Sequence, residues 1–489
     1  MHHAQAAAGN AATAAKAAGV LLDALSGTSP VRRLLLKAAA GAGKSYVLRR
    51  LVADATAHPR CERVVVVAFQ NRQLWPLATA LGQTLGRDQV CLFTSQERYA
   101  DVPDAVFDHA VVVTTSGAIP LDCRVVVSTS HKLGAIGEQG RLREHFGVGA
   151  NGEVTFDAMF VDEAWQLPHH LFDKISRAAP IVVGVGDVGQ LPPLEIGANP
   201  WRGDPGFNPY RAWPTEEVDD PATVWAAELP AVWRPAAEQL PLWRAFYPEW
   251  GELNCAAAPG DRFLKTTGVG GPAAGVWGHV GGGVPTMLEV DGLSDAEAAD
   301  VDLPLLHVVE RLLDNLFAAG AVFVETRYDD SGSPTDEVVS AAPGTPGDPL
   351  VVVLATRNQA VEDAAEMCQR LRETYGLTEN DLQASTVDSW QGQTNRLTVA
   401  VHPLTGADEL DEFNSAFGRL AVTCTRATHG LLMVARPGLD QLLGEAPARP
   451  GTPLGEPGNR HLPRQTHQRI LATFARGTLT IDPADDNEE

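Results

Sequence analysis

Aromatic residues make up only 6% of the 489-residue chain, and methionine and cysteine are scarcer, at five and six. The cysteines (Cys61, Cys91, Cys123, Cys255, Cys368 and Cys424) are scattered, with no Cys-x-x-Cys pair and no matching histidine spacing. That excludes a zinc site of the finger type and a disulfide framework, and fits a reduced, cytoplasmic setting. No apolar run reaches the length of a membrane span, so no membrane partner is expected. The alanine-rich opening, MHHAQAAAGNAATAAKAAGVLLDALSG, has no basic leader and is broken by Lys16 and Asp23; it reads as a soluble helix over 4–26. Positive charge is short as well, 38 Lys and Arg against 61 Asp and Glu, for a formal net charge of −23. Broad attraction to phosphate-rich polymers is thereby excluded, and any path for nucleic acid must be local.

Against these absences, a 44% hydrophobic content over this length is enough for two or three domains, each with a core. The most informative stretch is AAAGAGKS, Ala38 to Ser45, which follows the apolar run Leu34–Leu36 and opens into a helical pattern from Tyr46. Strand, glycine turn and helix form a phosphate cradle: Gly41, Ala42 and Gly43 turn successive backbone N–H groups inward, and the helix N-terminus adds its field. Lys44 is placed for the β and γ phosphates of a nucleotide, and the Ser45 hydroxyl for a magnesium ion. Ala38 stands where the usual motif has glycine, and taken alone the stretch also reads as a helix entry without a ligand.

Apolar strand-length runs follow at 63–69, 110–115, 124–129, 155–161 and 181–185, with a helix over 73–85. Strands alternating with helices predict a parallel, doubly wound sheet with its ligand at the carboxyl ends of the strands. From 192 to 235 the texture turns to proline, glycine and tryptophan, an ordered surface excursion in which the tryptophans pack. A Gly/Pro-rich connection is expected over 241–283. A second alternating block follows: strands at 286–290, 322–325, 350–354, 396–401 and 430–435, and helices at 303–318, 359–375 and 412–420. The segment 445–489 reads as a proline-rich, partly disordered tail. The resulting domains are 1–240, 284–444, the connection and the tail.

Two acids, Asp162 and Glu163, end the run at 155–161 in the stretch DAMFVDEAWQLP. At a strand tip beside a cradle, Asp162 is suited to hold magnesium and Glu163 to polarise an attacking water. A further strand ends in GDVGQLPP, which carries Gln190.

Read together, AAAGAGKS, DEAWQ and GDVGQLPP resemble motifs I, II and III of the superfamily 1 helicases, in order. LPAVWRP at 229–235 is similar to the arginine-bearing motif that follows, ATRNQ at 355–359 to motif IV, STVDSWQGQ at 385–393 to motif V, and GRLAVTCTRA at 418–427 to motif VI. The last two look most like the 5′-to-3′ branch that includes the RNA-surveillance helicase, with RecD-type enzymes more distant. The resemblance implies an α/β fold of two RecA-like P-loop NTPase domains with parallel doubly wound sheets, and ATP with Mg2+ in the interdomain cleft. It implies an ATP-dependent helicase or translocase on single-stranded nucleic acid, with DNA favoured over RNA as the track. Gln190 becomes the γ-phosphate sensor, and Arg234 and Arg426 the cations that meet developing charge, Arg426 as an arginine finger. Gly392 joins the nucleotide site. Contacts to the strand fall to Gln70 and Asn71, to Thr129 and His131, and to Thr386 and Trp390, where Trp390 is either a base platform or a core residue.

Two departures limit the resemblance. Gln393 is followed by Thr394 where the family has the glutamate that contacts ribose, and Gln5 is the sole candidate for the glutamine that reads adenine. Little sequence is available for inserted domains, which points to a translocase or a motor working with accessory protein subunits. The alternative is an ATP-gated scaffold that binds nucleic acid or protein with little turnover.

Overall fold

Four consecutive valines leave a strand no polar face to offer water, so Val64–Ala68 settles with every side chain buried in the interior of a sheet. The computed structural model describes residues 1–189, 208–217, 222–248, 250–265, 268–270, 273–298, 301–410, 417–446 and 463–481. They divide into two compact units: one from Gly9–Val188 and the described residues of 208–229, the other from Met1–Ala8, Gly189 and the described residues from 230 onward.

The first unit carries β1 (Arg33–Ala38), β2 (Val64–Ala68), β3 (Val90–Phe93), β4 (Val111–Val113), β5 (Val125–Thr129), β6 (Ala158–Asp162), β7 (Ile181–Gly186) and β8 (Val224–Leu229). They lie in the order β4-β3-β5-β2-β6-β7-β1-β8, every pair parallel. The helices that matter for the site are α1 (His3–Ser26), α2 (Lys44–Ala57) and α3 (Asn71–Leu85). The expected doubly wound sheet is present. Two strands depart from expectation: β3, one in from the β4 edge, is too short to stand out in the sequence, and β8, at the opposite edge, comes from the stretch expected as a surface excursion. There the half-buried alternation of VWAAEL pairs alongside β1. Trp213 is fully buried and stacked on Phe172 at 4.1 Å, so it packs as expected, whereas Trp201 lies outside the described residues.

The second unit continues with β9 (Ala231–Val232), β10 (Asn254–Cys255), β11 (Arg262–Lys265), β12 (Thr286–Asp291), β13 (Val322–Tyr328), β14 (Pro334–Ala341), β15 (Val351–Ala355), β16 (Leu382–Thr386), β17 (Asn395–Val401), β18 (Ala427–Ala435) and β19 (Ala475–Thr480). Its main sheet runs β16-β15-β17-β18-β12-β19, again all parallel. Helices Leu303–Ala318 and Asn358–Tyr375 pack their apolar stripes on this sheet, the first capped by Asp302, whose Oδ1 accepts the Leu305 N–H at 3.2 Å.

Three expectations differ here. The strand read at 322–325 is β13, and it leaves the parallel sheet to pair antiparallel with β11 and β14. Residues 241–283 are more than a connection, because they supply β11 and a helix, Ala273–Gly281, whose Trp277 is fully buried. Glycine and proline punctuate this stretch without unfolding it. Within the segment read as a tail, Pro463–Leu471 is helical and β19 adds to β12; 447–462 and 482–489 lie outside the described residues. Among the described residues no helix is long and apolar enough to cross a membrane.

Candidate nucleotide site

The strand order β6-β7-β1 brings three carboxyl-terminal tips side by side. From β1 the chain enters the cradle, where Gly41 (φ +71°) and Gly43 (φ +92°) take left-handed backbone that costs an L side chain energy. A Cβ on Gly43 would meet nothing within 4 Å, so dihedral angle and not space calls for glycine there. Between them Ala42 donates its N–H to Ala39 O at 3.0 Å, and α2 starts at Lys44. Asn10, buried on α1, donates Nδ2–H to Ala42 O at 2.9 Å and braces the turn from behind. The Ser45 hydroxyl belongs to an exposed residue at the helix mouth.

Lys44 is held by acids from the neighbouring tips. Its Nζ lies 3.0 Å from Glu163 Oε1 after β6, and 3.8 Å from Asp187 Oδ2 after β7. Asp162, 8% exposed, accepts the Glu163 N–H on Oδ1 at 3.0 Å. Burial, then the adjacent Glu163, pushes the Asp162 carboxyl up to about 7, partly opposed by Lys44. A divalent cation bound there would reverse that balance by favouring the carboxylate. The donor set therefore fits magnesium, one carboxylate and one hydroxyl beside a phosphate cradle, with its other ligands drawn from phosphate and water. Among the described residues no three His, Cys, Asp or Glu side chains form a metal cluster by themselves.

Glu163 has φ +48° and ψ +48°, a left-handed conformation that is uncommon outside glycine and stores backbone strain. The turn that follows, Ala164–Gln166, is pressed onto β7, and glycines make room for it. A Cβ on Gly186 would fall 2.7 Å from the Trp165 ring and 2.8 Å from Ala164 N; one on Gly184 would fall 2.8 Å from the Trp213 ring. The run IVVGVG is thus shaped to seat the acid-bearing turn.

The residues expected to touch a strand sit further along the same edge. Gln70 and Asn71 follow β2, and Thr129 and His131 follow β5. Four strand spacings separate β5 from β1, about 19 Å. Gln70 and His131 are exposed, while Thr129 Oγ1 accepts the Lys132 N–H at 3.1 Å. Phe69 and His131 are in ring contact at 5.5 Å, and burial, then Lys174 and His170, holds the His131 imidazole below its ordinary value.

The remaining expected residues lie in the other unit. Arg234 donates Nη1–H to Thr425 O at 3.0 Å, which sets it beside Arg426. Arg426 is 1% exposed, and its guanidinium donates to Val422 O at 3.2 Å, Thr425 Oγ1 at 3.0 Å and Gln393 O at 3.5 Å. Gly392 (φ +84°) is exposed in the same turn, and Thr386 Oγ1 accepts the Ser389 N–H. Trp390 is 4% exposed and donates Nε1–H to Asn395 Oδ1 at 2.9 Å; of its two readings the structure favours core residue over base platform. Gln5 is exposed. Gln190 lies outside the described residues.

Sequence reading passed over Asp187, Asn10 and Gln166. Asp187 had a signal, an acid directly after an apolar strand in the stretch assigned to Gln190. Asn10 had none, being one polar residue in an alanine-rich helix.

Residues 22–195 match the family model of an AAA domain, AAA_19. No curated protein matches the chain. Solved structures similar to it include the PRRSV helicase (14% identity, TM-score 0.38, 94% of this chain and 67% of that one), the arterivirus nonstructural protein 10 helicase (14%, 0.41, 87% and 63%) and the DUF1998 helicase MrfA bound to DNA (10%, 0.39, 84% and 45%). The chain thus spans between 45% and 67% of the length of these three. The matched range encloses the cradle, Asp162, Glu163 and Asp187.

Proposed function

We propose that the protein is a nucleic-acid-dependent ATPase, a helicase or translocase that couples ATP hydrolysis to movement on single-stranded nucleic acid, with DNA favoured over RNA. The observation that carries this reading is Lys44 at the mouth of a glycine cradle, paired with Glu163 and Asp187 from adjacent strand tips. Incoming phosphate would replace these carboxylates as partner of the lysine, freeing Glu163 to orient water. Asp162 and Ser45 would hold Mg2+, which supplies charge neutralisation on the phosphates when bound. The order of the helicase-like motifs supports extending the reading from an ATPase to a motor, with Gln190, Arg234 and Arg426 as the remaining catalytic groups and Gly392 near the nucleotide. Gln70, Asn71, Thr129, His131 and Thr386 are the proposed strand contacts; cytoplasmic placement and accessory subunits belong to the same proposal.

The test is ATP hydrolysis with and without single-stranded DNA or RNA. Strong stimulation by a strand is expected, abolished by Lys44→Ala and Glu163→Gln, and reduced about a thousandfold by Arg426→Ala with nucleotide binding retained. ATP binding without turnover in the wild-type protein would overturn the motor in favour of an ATP-gated scaffold.

A further inference from the structure

Gln73, in the first turn of α3, joins two places that the proposed function treats separately. Its Oε1 accepts the backbone N–H of Gln70 at 3.1 Å. A peptide N–H can only donate, so this bond fixes the amide's orientation and turns Nε2 away from the loop. Nε2–H then donates to Oε1 of Gln166 at 3.2 Å. Gln166 is buried at the end of the turn after β6, and its own N–H donates to Glu163 O at 2.8 Å. Three hydrogen bonds therefore run from the loop after β2 to the peptide of Glu163, across two adjacent strands. Glu163 holds a left-handed backbone that its residue type does not favour, so its pose depends on what anchors this turn.

We infer that Gln73 and Gln166 form a relay through which a single strand seated on the Gln70–Asn71 loop fixes Glu163 for hydrolysis. This rests on the ATPase reading above. In this relay Gln73 is a positioning residue, acting through Gln166. Because coupling between sites is reciprocal, the same relay makes bound nucleotide tighten the grip on the strand.

The full-length protein is compared with Gln73→Met, Gln166→Met and the double variant, by ATP turnover with and without oligo-dT. Oligo-dT affinity is measured with and without a non-hydrolysable ATP analogue. Methionine keeps the volume and removes the amide. Expected for Gln73→Met are basal turnover within about twofold of wild type, and a ratio of stimulated to basal turnover that falls about five-fold or more. Gln166→Met lowers the ratio similarly, and the double variant lowers it no further, since either change cuts the same relay. The tightening of oligo-dT by the analogue is lost in all three. Wild-type stimulation in the single variants, multiplying effects in the double, or basal and stimulated rates falling in parallel with the ratio unchanged would each overturn the relay. A wild-type protein that oligo-dT does not stimulate would instead overturn the motor reading beneath it.

Discussion

Without nucleotide, Lys44 is paired with both Glu163 and Asp187, and it also lowers the cost of the buried Asp162 carboxylate. Replacing it by methionine keeps the side chain's bulk and removes the charge. At 3.0 and 3.8 Å the two pairings are worth about 5 and 4 kcal/mol in an effective dielectric of about 20, before desolvation is subtracted. The lysine and glutamate side chains are 11% and 14% exposed and that of Asp187 is fully buried, so solvent screens them little. Since removing one partner of a buried pair leaves the other charge uncompensated, we expect a net loss of about 3 kcal/mol. For a unit of this size that lowers the melting temperature by about 6–12 °C. Adding Glu163→Gln removes the carboxylate that loses its lysine and should restore about half of the loss, a coupling that independent sites would not show. Scanning calorimetry of the full chain, free of nucleotide and magnesium, reads both effects. An unchanged transition in Lys44→Met, or a double variant less stable than the single, would refute the paired geometry.

Asp157, buried before β6, takes four donors: Glu62 N–H at 2.7 Å, Arg63 N–H at 3.2 Å, Asn151 N–H at 2.8 Å and Asn151 Nδ2–H at 2.7 Å. Asp157→Ala leaves them unsatisfied and should cost about 3 kcal/mol, seen as a lower urea midpoint with an unaltered slope. His402 is buried with Nδ1 accepting the Leu404 N–H at 3.1 Å, and burial, then His467 and Arg476, holds its imidazole down to about 3. The folded state therefore resists protonation that the unfolded chain accepts near 6.5, so this contribution is complete above that value and is lost as pH falls. Between pH 6.5 and 5 the loss is about 1.6 kcal/mol, and urea titrations of His402→Gln at both pH values should lack that share.

The interior strands and the phosphate cradle were legible because their signals are local: VVVV can be little else than a buried strand, and GAGKS sets its own dihedrals. The pairing of Asp162 and Glu163 was legible as two acids at the end of such a strand. Asp187 joins them by strand order, a property of the sheet, and the pattern at 181–185 says nothing about which neighbour lies alongside. The largely exposed β14 is a hairpin arm with no apolar run to announce it, and pairing with it draws β13 out of the parallel sheet where its own run suggested it belonged. Trp390 shows the limit from the other side. An aromatic within a motif has the same spelling whether it faces a base or the core, and the burial of the ring with its Asn395 bond separates the two.

β12, whose residues are Thr286–Asp291, finds its outer neighbour in β19 at Ala475–Thr480. During synthesis the central strands of that sheet emerge while one flank of β12 still presents bare backbone groups, a template for pairing with any extended chain nearby. Closure of this flank is thus a late event of high sequence separation, and such contacts are slow to form. Expression conditions that lengthen the interval, or shortening the chain ahead of residue 475, would leave aggregation through β12 as the competing fate.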